Sequence, residues 1–169
     1  MKIAITGHTS GIGQALYNRL SPNCIGFSTS NGYNIFDKQD RARIIQESVD
    51  CDIFINNAPA GFAQTYLFIE LFNAWKDLDS KKIINVGSRV ANLTRPKLNM
   101  LYYQAEKLIL KNMSQLMINA GACTVEYKTF AYVGTKKILE KYPHFTYPKD
   151  YISLDEACDL ILGADLSMT

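Results

Sequence analysis

Thr6-Gly7-His8-Thr9-Ser10-Gly11-Ile12-Gly13 follows directly on the apolar run Lys2-Ile3-Ala4-Ile5, and it restricts the fold more than any other segment. A short β-branched run that ends in spaced glycines and opens a helical pattern at Ile12–Leu20 reads as strand, tight turn and helix. Gly7 makes the turn. Gly11 and Gly13 let the backbone approach a ligand closely. The helix then directs its free N–H groups and the positive end of its dipole at that ligand, an arrangement suited to a pyrophosphate. The unit predicts nucleotide binding at one end of a parallel sheet.

The rest of the chain repeats the alternation. Apolar, β-branched runs lie at 2–6, 24–28, 51–55, 82–87 and 122–130, and helical patterns at 11–20, 38–49, 62–78, 98–119 and 153–163. The run Asn31-Gly32-Tyr33-Asn34-Ile35-Phe36-Asp37 reads as a turn, a very short strand and a helix cap. Counting that strand, the pattern predicts an α/β, Rossmann-type doubly wound parallel sheet of about six strands in order 3-2-1-4-5-6, with helices on both faces. Residues 134–152, with Pro143 and Pro148, read as an ordered loop over the sheet, so 1–169 is expected to form a single domain.

Composition narrows the partners. With 47% apolar and 20% charged residues the chain reads as an ordinary globular protein. A formal charge of +2 offers no field for nucleic acid or an acidic membrane surface, and no apolar run approaches a membrane span. The first strand begins at once, leaving no room for a signal or transit peptide, and a cytoplasmic location is expected. Cys24, Cys51, Cys123 and Cys158 are scattered with no C-x-x-C, so neither a metal site nor a disulfide framework is expected. The helical stretches over 66–75 and 98–118 are apolar nearly all round, which predicts a homodimer or homotetramer through helices 62–78 and 98–119.

Three further signals follow the glycine turn. Asn56-Asn57-Ala58 comes after Asp52-Ile53-Phe54-Ile55, Ser88 closes Ile83-Ile84-Asn85-Val86-Gly87, and Tyr103 and Lys107 stand one helical turn apart in Tyr-Gln-Ala-Glu-Lys. In this order T-G-x-x-x-G-x-G, N-N-A, the serine and Y-x-x-x-K resemble the short-chain dehydrogenase/reductase family. The resemblance runs from Lys2 to about Gly163 and implies an oxidoreductase that transfers a hydride between a nicotinamide cofactor and a small carbonyl or alcohol substrate. Tyr103 is then the proton donor, Lys107 lowers its pKa and binds the nicotinamide ribose, and Ser88 holds the substrate oxygen. The adjacent Tyr102 must point elsewhere on the helix.

The resemblance also assigns the cofactor contacts. Gly7, Thr9, Ser10, Gly11, Ile12 and Gly13 receive the pyrophosphate side. Ser28 and Thr29 meet the adenosine ribose, Asn34 and Ile35 the adenine, and Asn57 and Ala58 steady the sheet and line the adenosine side. Val133 and Thr135, in Phe130-Ala131-Tyr132-Val133-Gly134-Thr135, stand where relatives cover the nicotinamide. Gly26-Phe27-Ser28-Thr29-Ser30 carries no carboxylate to hold a ribose 2′-OH, so NADP(H) is favoured over NAD(H), with a pocket that takes both as the alternative.

There are departures from the pattern. Pro59 replaces a glycine, and the pair before Val133 is not Pro-Gly. The asparagine that serves a proton-relay water in relatives has no match: Asn73 lies too near its helix end, Gln64 is nearer the expected depth, and neither is assigned. The family's final strand is expected to be missing, and the substrate-covering segment is short. Tyr132, His144, Phe145, Tyr147 and Tyr151 are candidates for the pocket mouth. Two rival readings stand beside the reductase: a non-catalytic nucleotide-binding module that senses redox state, and an epimerase or other sugar-nucleotide enzyme, for which the second lobe is lacking.

Overall fold

The structure, a computed structural model, describes residues 1–121, 124–130, 132–135, 138, 140 and 151–166. β1 (Ile3–Thr6) leads through the glycine turn into α1 (Gly11–Leu20). β2 (Cys24–Phe27), α2 (Lys38–Glu47), β3 (Ile53–Asn56), α3 (Phe62–Trp75), β4 (Lys82–Val86), α4 (Leu101–Ala120) and β5 (Thr124–Lys128) continue the alternation. A two-residue strand β6 (Tyr132–Val133) then pairs in parallel with β7 (Tyr151–Ile152). Last comes α5 (Leu154–Leu166), broken at Gly163 where φ is 67°.

The main sheet is wholly parallel, with order β2-β1-β3-β4-β5. This is the expected winding with one strand fewer: the main sheet has five strands, and the very short strand expected within 31–37 does not form. Local bonds use up the backbone there. The Tyr33 N–H donates to the Ser28 carbonyl (2.9 Å), the Asp37 N–H to the Asn34 carbonyl (2.9 Å), and the Asn34 N–H to the Asp40 carboxylate (2.9 Å). The expected cap does form, since the Asp37 carboxylate accepts from the N–H groups of Gln39 (2.6 Å) and Asp40 (3.3 Å) at the start of α2. No strand follows α5 among the described residues. The segment expected to loop over the sheet, with His144, Phe145 and Tyr147, lies mostly outside them.

Strand alternation divides the core. Ile3, Ile5, Ile53, Ile55, Ile84 and Val86 pack under α1 and α5, whereas Ala4, Phe54 and Ile83 pack under α2, α3 and α4. α3 lies between α2 and α4 on that second face. Its apolar excess is therefore largely absorbed within the chain: Leu67, Phe68, Leu71, Phe72 and Trp75 are all buried. α4 is different, because Leu101, Leu108, Ile109, Leu116 and Ile118 stay exposed along its outer side. No helix among the described residues is long and apolar enough to cross a membrane.

Candidate active site

The carboxyl ends of β1, β3 and β4 carry the three motif loops to one edge of the sheet. At β1, Gly7 turns with φ of 73° and Gly11 with φ of 54°, backbone that side-chain-bearing residues rarely adopt. A Cβ on Gly13 would overlap the Gly7 carbonyl oxygen, so α1 can sit this close to the turn only with glycine there. The Ser10 side chain makes no capping bond to α1, which leaves the first-turn N–H groups free for phosphate oxygens. Ile12 packs its side chain into the core, so its backbone is what it can offer a ligand.

The glycine turn and the asparagine loop are tied together. The buried Thr6 hydroxyl oxygen accepts from the N–H groups of Asn57 (3.0 Å) and Ala58 (3.1 Å), and the Asn57 amide donates to the Thr6 carbonyl (3.1 Å). Asn57 thus steadies the junction of β1 and β3. Ala58 faces the adjoining cleft, whose walls also include Gly7, Thr9, Ser28, Thr29, Asn34 and Ile35. Seven of the residues expected to meet the cofactor therefore share one cleft although they come from three loops. At its β2 side the Ser28 N–H donates to the Asn31 side-chain oxygen (2.8 Å), and the Asn31 amide to the Gly26 carbonyl (2.8 Å). Hydroxyls and an amide, not a carboxylate, close the end of β2.

One cation near this cleft escapes the sequence reading. The Arg43 guanidinium lies 4.7 Å from the ring centre of Tyr33, a cleft residue, and is paired with Asp40 at 2.8 Å. It is remote from Ser28 in sequence, and its approach depends on how α2 leaves the turn. At the opposite end Thr135 rests against the glycine turn, its methyl carbon 3.3 Å from where a Cβ on Gly11 would stand. Val133 is buried beside it in β6.

Ser88, Tyr103 and Lys107 converge. Ser88 follows β4 and accepts the Val90 N–H at 3.3 Å, and its hydroxyl lies near enough to the Tyr103 phenol to pull the phenol's pKa down. Lys107 is 4% exposed, with Nζ 5.7 Å from the Tyr103 ring centre. Tyr102 points outward at 76% exposure, as the helix register requires. The electrostatics differ from the expectation that Lys107 lowers the Tyr103 pKa. Burial pushes the phenol up, the Ser88 hydrogen bond pulls it down, and the Glu106 carboxylate pushes it up again, with a net rise. Burial likewise brings Lys107 down to about 8 against an upward pull from Glu106. The ammonium faces the ring rather than the hydroxyl, so it does not depress the phenol in this state.

Two more side chains complete the cluster. The Lys107 ammonium donates to the Gln64 side-chain oxygen at 2.6 Å, whereas Asn73 is exposed near the far end of α3. Tyr127 of β5 packs behind Gly87, filling the space that a side chain there would need, with its hydroxyl 3.5 Å from the Lys107 carbonyl. Gln64 was legible as a polar residue at a buried position of an apolar helix. Tyr127 carried no such signal.

No family model matches the sequence, and no curated protein matches it. Solved structures do. The 3-alpha-hydroxysteroid dehydrogenase from Pseudomonas sp. B-0831, complexed with NADH, has a TM-score of 0.76 at 18% identity over 99% of this chain and 92% of its own. A short-chain dehydrogenase from Burkholderia cenocepacia J2315, in complex with NADP, has a TM-score of 0.74 at 18% identity over 97% of this chain and 85% of its own. The closed form of a serine dehydrogenase complexed with NADP+ follows at 0.72 and 15% identity, covering 94% of this chain and 86% of its own. The chain therefore has the fold of the short-chain dehydrogenase/reductase structures, with its glycine turn and its Ser88–Tyr103–Lys107 cluster at the same sheet edge.

Proposed function

We propose that the chain is a member of the short-chain dehydrogenase/reductase family and works as a nicotinamide-dependent oxidoreductase on a small carbonyl or alcohol substrate. The observation that carries this reading is the convergence of Ser88, Tyr103 and Lys107 past the carboxyl end of β4, with the Lys107 Nζ 5.7 Å from the Tyr103 ring centre. The residues present fit a dinucleotide. The Gly7–Gly11–Gly13 turn leaves a cradle that added Cβ atoms would fill, and the cleft running from it toward β2 is lined by Thr9, Ser28, Thr29, Asn34, Ile35 and Ala58. Lys107 would hold the nicotinamide ribose, and Val133 and Thr135 would hold the carboxamide and pyrophosphate.

The bound cofactor supplies or accepts the hydride. The chain's own residues handle the proton. Tyr103 is protonated at neutral pH at its ordinary pKa and burial raises that pKa further, so the site holds the proton that carbonyl reduction needs. Ser88 orients the substrate oxygen, Tyr103 gives it the proton, and the Lys107 ammonium stabilises the phenolate that remains once it turns from the ring face toward the oxygen. The absence of a carboxylate from 26–30 and the nearness of Arg43 support NADP(H) over NAD(H). A soluble homodimer or homotetramer in the cytoplasm, built on the outer side of α4, completes the reading. The test is a panel of small ketones and aldehydes with NADPH, followed by loss of cofactor absorbance. Turnover that disappears in Tyr103→Phe is expected. Cofactor binding without turnover on any substrate would favour a nucleotide sensor instead.

A further inference from the structure

Lys107 is a buried cation whose hydrogen bond goes to a neutral side chain on another helix, from Nζ to the Gln64 oxygen at 2.6 Å. The Gln64 amide cannot turn round without loss. Its Nε2 donates to the Asn56 carbonyl (2.8 Å) and the Val86 carbonyl (3.1 Å). A flipped amide would set its NH2 against the ammonium and its oxygen against two carbonyl oxygens. The Gln64 oxygen is therefore committed to Lys107.

The support continues into the sheet. The Asn56 Nδ2 donates to the Gln64 carbonyl (3.0 Å) and to the Asn85 Oδ1 (2.8 Å), and the Asn85 Nδ2 donates to the Ser114 Oγ (3.0 Å). The Ser114 hydroxyl closes on the Leu110 carbonyl of α4 at 2.7 Å. Asn56 and Asn85 stand side by side in the parallel register, both directed at the α3 and α4 face. Gln64, Asn56, Asn85 and Ser114 are each no more than 2% exposed. This ladder ends on a backbone carbonyl inside the core. It is a scaffold, not a proton path to water.

We propose that Gln64 is a positioning residue, whose locked amide oxygen fixes the Lys107 ammonium beside Tyr103. The consequence for turnover rests on the reductase reading, whereas the hydrogen bond itself does not. Lys107 is already brought down to about 8 by burial, so an acceptor at this distance decides how much of it stays charged near neutral pH. The titratable groups around it are Glu106 and Tyr103 on its own helix and Tyr127 of β5, whose hydroxyl lies 3.5 Å from the Lys107 carbonyl. α3 presents the neutral Gln64 amide.

The test titrates Lys107 by NMR in the ligand-free full chain, assigned through Lys107→Met, for the parent, Gln64→Met and Gln64→Glu. Gln64→Met should move the titration down by about one to two pH units, the equivalent of one charge-assisted hydrogen bond. Gln64→Glu should move it up, because a carboxylate keeps the acceptor and adds charge, even though its second oxygen then faces the Asn56 and Val86 carbonyls in place of the donating Nε2. Should Gln64→Met fail to fold, the upward shift in Gln64→Glu still decides. A Lys107 titration unchanged in the folded variants would overturn the proposal. In turnover, Gln64→Met should cost about 10–100-fold in kcat and nothing further in a Lys107→Met background; additive losses would overturn it as well. Failure of the parent to bind NADPH would end the reductase reading and leave the NMR result to decide the role of Gln64.

Discussion

Single residues decide which protons the site holds. Burial raises the already high pKa of the Tyr103 phenol, and Tyr103→Phe removes its proton while retaining the ring. Turnover should fall by about 10²–10⁴ with NADPH affinity nearly intact, as initial rates and a fluorescence titration would show. Tyr102→Phe is the control: that ring is exposed and packs edge-on to Phe62 at 6.1 Å, so its loss should be mild. Lys107 contributes to stability with the opposite sign from a salt-bridged lysine. Its folded pKa, about 8, lies below the ordinary 10.5, so the unfolded chain binds more protons between those values. The buried charge costs stability below pH 8, and the cost is relieved as pH rises through that window. Compared with Lys107→Met by urea unfolding, the parent should gain on the order of 2 kcal/mol between pH 7 and pH 10. A constant difference across that range would show that the buried ammonium is not the source. The comparison cancels the buried thiols of Cys24, Cys51 and Cys158, which are raised and act in the other direction.

Between elements, the adenosine side of the cleft depends on α2 being tied to α3. The Arg41 guanidinium holds Glu70 through two bonds of 2.8 and 3.0 Å and donates to the carbonyls of Ile35 (3.0 Å) and Phe36 (3.2 Å). Arg41→Ala leaves those carbonyls unpaired and should cost about 2–4 kcal/mol in urea unfolding, with weaker NADPH binding because Ile35 is a cleft wall. A loss below about 0.5 kcal/mol would place the strength of this corner elsewhere. The same segment shows where sequence reading stops. The run 31–37 was read as holding a very short strand, but Asp40 and Ser28 supply local partners first, and such competition depends on distances that no pattern encodes. The strands were readable because β1, β3 and β4 are short, nearly continuous apolar runs rich in isoleucine, as strands buried on both faces of a parallel sheet require. Asn56 was read as following the strand; it is the last residue of β3, and its neighbour Asn85 is 29 positions away.

For the whole molecule, the order of the motifs made the fold legible, since a glycine turn, an asparagine loop and a serine follow β1, β3 and β4 and the Tyr–Lys pair stands on the next helix, α4. The contacts between them were not legible. Gln64 and Lys107 are 43 positions apart, and nothing local shows that the amide oxygen faces the ammonium. The all-round apolarity of α3 was read as a subunit contact, yet its position between α2 and α4 accounts for most of it. The outer side of α4 still carries the exposed stripe, with Leu116 61% exposed, and a homodimer or homotetramer through it is the expectation. Light scattering at micromolar concentration should report two or four chains; a monomer would contradict it. The central claim is that this sheet edge holds a nicotinamide dinucleotide, and calorimetric titration of the parent chain with NADPH and NADH tests it most directly. The account predicts saturable one-to-one binding of both, tighter for NADPH; no detectable binding of either would contradict it.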